Sequence, residues 1–138
     1  MRQTVFAFAA ALTAFAAAAG AADLAACYQA AGDNPAEKTE CLKQEAAAVD
    51  AEYGEAAEKV LAEMKSIDKA ESGKTCWKSM LAAHQAFKTY VQRECEAAAE
   101  AEVSSPVSAE NTGLACRINL ERMRIDMLKT RYLSKQKQ

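Results

Sequence analysis

The residues of this chain with the strongest intrinsic chemistry are five cysteines, Cys27, Cys41, Cys76, Cys95 and Cys116, and one histidine, His84. A single histidine removes every multi-histidine zinc site, and a Ser-His-Asp arrangement would rest on one imidazole that falls on an apolar helix stripe. Met80 stands four residues before His84 on the same face, and Met with His can ligate haem iron. Methionine at this spacing is ordinarily packing, and no C-x-x-C-H sequence for covalent haem is present. Carboxylates are many, yet Glu94 with Glu96 and Glu100 with Glu102 sit on turns of a surface helix, the setting of solvated charge rather than of an acid and base pair. No Gly-rich phosphate loop or nucleophile motif occurs. The expectation is a protein with no catalytic set, no metal and no cofactor.

What the cysteines do depends on the compartment. Arg2, the apolar run Val5 to Ala19 and the small residues Gly20-Ala21-Ala22 have the form of an export signal. The run is shorter than the roughly 20 residues of a membrane span. The predicted organisation is a signal peptide over 1–22 and one domain over 23–138, which keeps 138 − 22 = 116 residues. Leu24-Ala25-Ala26-Cys27 also fits a lipobox, so a lipid anchor on Cys27 is the alternative to ordinary cleavage; Asp23 before Leu24 interrupts the apolar stretch and argues for cleavage. Outside the cytoplasm cysteines pair, and an odd number leaves one over. Removing Arg2 from the 17 basic residues leaves 16 against 19 acidic ones, a balance of −3 that disfavours nucleic acid and suits a cationic partner.

Four helices must position these residues. The composition is rich in strong helix formers and the clustered turn signals are few: Gly32-Asp33-Asn34-Pro35, Ser72-Gly73, and Ser104-Ser105-Pro106 through Gly113. The segment from Asp23 to Ala31 is too short to hold alone and must lean on its neighbour. The second helix opens with Asn34 as cap, Pro35 at the first position and Glu37 three after the cap. Leu42, Ala46, Val49, Tyr53, Ala56, Val60, Met64 and Ile67 then form a regular seam, interrupted at Gly54, which marks a kink or a close helix approach. The third helix, Lys74 to Ala101, carries Trp77, Met80, His84, Phe87, Val91 and Cys95 at steps of three and four, so the other elements are expected to cover this face. A loop follows, then a fourth helix from Thr112 to Leu133, apolar on one side and basic on the other through Arg117, Arg122, Arg124, Lys129 and Arg131. The tail from Ser134 to Gln138 is expected to fray.

Two helices joined by a tight turn bring residues equidistant from that turn together. The midpoint of Cys27 and Cys41 falls in the Asn34-Pro35 turn, and that of Cys95 and Cys116 at Ser105-Pro106. Each pair therefore staples a helical hairpin, and Cys76, near Ser72-Gly73, lies at the opposite end, beyond the ~7 Å between Cα atoms that a bridge allows. Cys76 is left as a free thiol, either a small apolar residue beside Trp77 or the link of a dimer. The fold class is an all-α, disulfide-stapled bundle of one short and three longer helices.

With the cysteines placed, the chain resembles the DUF1311 family, the domain of the LprI-type lysozyme inhibitors. The resemblance rests on Cys27 and Cys41 after an export signal, Asp50, then Leu81, Ala83, Ala86, Phe87, Tyr90 and Cys95, then Cys116 and Arg124, and covers nearly the whole mature chain. Departures are His84 where the family usually has Gln, Phe87 for Trp, Val91 where an Arg commonly follows the Tyr, Tyr53-Gly54 for Leu-Asn, Ala57 for Tyr and Glu121 for Thr. The resemblance implies a helical, disulfide-held envelope protein, with lysozyme inhibition in some members.

The functional expectation is a periplasmic or secreted, non-enzymatic binding protein whose partner is a protein, a lysozyme-type muramidase first among them. The alternative is an envelope structural or immunity-type protein with another protein partner. The expected binding surface is the acidic side of the third helix with the following loop: Glu94, Glu96, Glu100, Glu102, Glu110 and Asn111.

Overall fold

The computed structural model describes residues 24–134; the expected signal peptide and residues 135–138 of the tail lie outside the described residues. Four α-helices follow in chain order, α1 (Leu24–Ala31), α2 (Pro35–Ala70), α3 (Cys76–Ala101) and α4 (Pro106–Leu128), and a π-helical turn, Lys129–Leu133, continues α4. Among the described residues there is no strand.

Helix starts are set by local chemistry. Asn34 accepts the N–H groups of Ala36 and Glu37 through its side chain, with Pro35 at the first position. Ser105 does the same for α4, accepting the Ser108 N–H at 3.0 Å ahead of Pro106. The stretch from Pro106 to Asn111, expected as a loop before a helix starting at Thr112, therefore belongs to the first two turns of α4. Its Ser-Pro opening is the same cap-plus-proline signal as Asn34-Pro35, and it outweighs the Asn and Gly that follow. At α3 the preceding Thr75 makes no side-chain cap. Asp68, from the last turns of α2, instead accepts the N–H groups of Cys76 at 2.8 Å and Trp77 at 3.0 Å. Between them Gly73, at φ 87°, makes the reversal that an L side chain resists.

The centre of the bundle is α2 rather than α3. Ten residues of α2 are buried against three of α3, because the regular seam of α2 meets α1, α3 and α4 at once. The α3 stripe is present, with His84, Val91 and Cys95 buried and Trp77, Met80 and Phe87 half-buried. It covers one side of α2. Leu42, Val49 and Val60 of α2 and Ile118 and Leu128 of α4 are fully enclosed, each worth about 1.5–3 kcal/mol of burial.

Thr39 meets Asn111, Asp50 meets Arg117 and Glu52 meets Lys129, so α2 and α4 run parallel. α3 returns antiparallel to both. The basic side of α4 and of the turn that continues it is largely a clamp: Arg122 pairs with the buried Glu45, Arg117 with Asp50 at 3.0 Å, and Lys129 with Glu52. Disulfides join Cys27 to Cys41 and Cys95 to Cys116, with 5.5 Å between Cα atoms in each. Cys76 is unbonded. A Cβ at Gly54 would meet no atom of the described residues within 4 Å, so Gly54 marks no close approach among them. That role belongs to Gly113, where a Cβ would stand 3.4 Å from the Ala99 Cβ and 3.5 Å from the Cys95 carbonyl oxygen.

Candidate binding groove

Small residues open a valley where α3 passes α4. Ala99 on α3 and Ala109 and Gly113 on α4 hold little volume, and the Cys95–Cys116 bridge fixes the helices around them. The result is a groove of about 590 Å³ that reaches Asp50 of α2. Phe87, Val91 and Leu114 supply apolar walls, and Glu96, Glu110, Lys88 and Gln92 stand along it.

Arg117 and Glu121, also lining residues, tie the groove to a buried polar cluster. The guanidinium of Arg117 is shared between Asp50 at 3.0 Å and Glu121 at 3.1 Å. Glu121 is only 4% exposed, and its second oxygen, Oε2, has no hydrogen-bond partner among the described residues. Burial raises the Glu121 carboxyl above its ordinary range, more than Arg117 lowers it. Behind it the Tyr53 hydroxyl lies 3.0 Å from His84 Nδ1, while His84 Nε2 and Arg124 Nε are buried without partners among the described residues. Burial, then the charge of Arg124, lowers the His84 pKa, so the ring is neutral at pH 7. Arg124 lies over the Phe87 ring, 5.5 Å from its centroid.

Of the residues expected to form a binding surface, the structure brings Glu96 and Glu110 together along the groove. Gln92 donates to Glu96, and Glu110 pairs with Lys43 at 2.8 Å. Glu94 and Glu100 are exposed on α3 outside the groove lining. Glu102 accepts the Ser104 N–H at 2.9 Å and shapes the turn into α4. Asn111 is not on the surface: it is 7% exposed and accepts a hydrogen bond from the Thr39 hydroxyl at 2.8 Å, because helix α4 turns it inward. Sequence reasoning about the surface did not find Asp50, Lys88, Arg117 and Glu121. The Arg117 and Glu121 spacing of four is the signal that was available. Cys76 sits at the far end, half-buried, its thiol pKa raised by burial and by Asp68.

No group of three or more metal-ligating side chains occurs among the described residues, and no helix there is long and apolar enough to cross a membrane. Neither a curated protein nor a solved structure matches the chain. A family model described as lysozyme inhibitor LprI matches residues 16–128, a span that takes in both bridges, the groove and its polar cluster and stops where the π-helical turn begins. A helical frame stapled at these four cysteines, matched over most of its length, places this chain in the lysozyme inhibitor LprI family.

Proposed function

We propose that this protein is an exported, non-enzymatic binding protein that inhibits a lysozyme-type muramidase by covering its cleft with the acidic end of the α3–α4 hairpin. One observation carries the reading: from Glu94 to Cys116 the chain has five carboxylates and no basic residue, on two helices locked by the Cys95–Cys116 bridge. A preorganised surface of one sign steers an oppositely charged partner and loses little freedom on binding. Cationic muramidases, which cut with a carboxylate pair, are such partners. At the tip, Val103 is 92% exposed and available for apolar contact.

Two bridges fit an oxidising compartment. Because Cys27 is joined to Cys41, it holds no thiol for lipid attachment, which favours a released protein over an anchored one. Intact mass of the exported protein under non-reducing conditions checks the cleavage site, the absence of lipid and both bridges. The function itself is tested in a turbidity assay of bacterial cell-wall lysis. Excess protein is expected to slow clearing by a cationic lysozyme; undiminished clearing removes inhibition as the activity.

A further inference from the structure

The groove contains an electrostatic imbalance that its own residues do not resolve. Its lining holds four carboxylates, Asp50, Glu96, Glu110 and Glu121, against two cations, Lys88 and Arg117; Lys43, outside the lining, pairs with Glu110, so the unmet charge lies with Asp50, Glu96 and Glu121. Arg117 is divided between Asp50 and Glu121, so one guanidinium serves two carboxylates. Glu121 presents one oxygen to Arg117, and the other, within a residue that is 4% exposed, has no donor among the described residues. A buried carboxylate oxygen left this way costs free energy that an incoming charged donor would recover. The walls leading to it, Phe87, Val91 and Leu114, are apolar, which suits the methylene stem of a long cationic side chain.

From this we infer that the groove is a receptor for one basic side chain, Lys or Arg, of the partner protein, its stem between Phe87, Val91 and Leu114 and its charged head against Asp50 and Glu121. The inference rests on the binding role proposed above and adds the chemistry of the contact. The partner presents a protruding basic residue, and the inhibitor supplies the hole rather than the peg. Glu96, whose only partner among the described residues is the neutral amide of Gln92, lines the groove and favours positive charge on the approach.

The test uses the purified oxidised chain, ¹⁵N-labelled, titrated with Nα-acetyl-arginine amide and Nα-acetyl-lysine amide, with Nα-acetyl-glutamine amide as the neutral control. Saturable amide shifts around Asp50, Phe87 to Ala99 and Ala109 to Glu121 are expected for the cationic probes alone. Glu121→Gln, an isosteric change, is expected to weaken binding about tenfold, the effect of losing one charged contact. Gln92→Trp, at an exposed lining position, should block the groove without altering its charge. Shifts that scatter over the surface without saturating, or that neither variant changes, overturn the receptor. The turbidity assay on the same samples separates the two proposals. Probe binding without inhibition leaves the receptor and removes the muramidase. Inhibition that survives both variants, with no probe binding, does the reverse.

Discussion

Where α3 ends and α4 begins, the residues between these two helices are small, Ala99 on α3 and Ala109 and Gly113 on α4, although Leu42 and Val49 of α2 are enclosed at that end. At the other end Val60, Met64, Ile67, Trp77, Met80, Leu128, Tyr132 and Leu133 pack together. Both disulfides belong to the first end and none to the second. Val91 and Cys95, although buried, stand outside the main apolar cluster. The contrast teaches that between α3 and α4 covalent closure stands in for apolar volume: a groove can persist beside the Cys95–Cys116 bridge because the bridge, rather than large side chains between these two helices, keeps them at their spacing.

The contrast is broken most directly by removing volume from the packed end. Leu128→Ala, at a site with no exposure, is expected to cost about 3–5 kcal/mol, the range for a large-to-small change in a core. Thermal melts followed by circular dichroism read it. A loss no larger than that of a surface change would mean the packed end does not carry the fold.

Next in size is the stapled end. Replacing Cys95 and Cys116 together by Ser opens a loop of 21 residues, worth roughly 3 kcal/mol in the chain-entropy account. Hydrogen exchange should then rise first in Glu94 to Arg117 while the region of Leu128 stays protected. Uniform loss of protection would show that the two ends are one cooperative unit and that the contrast is only geometric.

Between the ends, His84 and Glu121 give the middle of the molecule a pH response of two signs. His84 is lowered from 6.5 by burial, so the stability from its neutral form is complete above about pH 6.5 and is lost as pH falls through its folded value. Glu121 is raised from 4.5, again by burial, so its contribution is complete below about pH 4.5 and is lost as pH rises through the folded value. Melting temperatures from pH 4.5 to 6.5 should therefore tilt in opposite senses in the two variants. Glu121→Gln should gain stability with rising pH relative to His84→Gln, and parallel profiles would remove the burial account of both groups.

Much of this architecture is legible in the chain. The steps of three and four on α2 and α3 define the faces that are buried, and the two turns at Asn34-Pro35 and Ser105-Pro106 fold the hairpins that the bridges close. The groove is less legible because it is defined by what is missing. Ala99, Ala109 and Gly113 read as helix filler and loop until the helices are set side by side. With the helix expected to start only at Thr112, Asn111 falls in a surface loop; the Ser105 cap starts α4 earlier and Asn111 turns inward to Thr39. The polar cluster joins residues about 30 to 70 positions apart on three helices, a scale of separation at which side-chain pairing depends on packing rather than on spacing. Only its local Arg117 and Glu121 step could announce it.

The smallest expected effect tests how α3 begins. Asp68 caps that helix across the turn, and its carboxyl is held below the ordinary range chiefly by the Trp77 N–H. Its contribution is therefore present above the ordinary carboxylate range and is lost as pH falls through the lowered value. Asp68→Asn keeps one acceptor oxygen but removes the charge and one of the two hydrogen bonds. The global melt should fall by less than in the bridge variant, since the packing of Trp77 and Met80 on the core remains. Amide exchange at Cys76 and Trp77 should accelerate, with no change at Val91 or Cys95. If exchange quickened along the whole of α3, the helix would be zipped from its start, and the cap rather than the bridge would govern how firmly the walls of the groove are held.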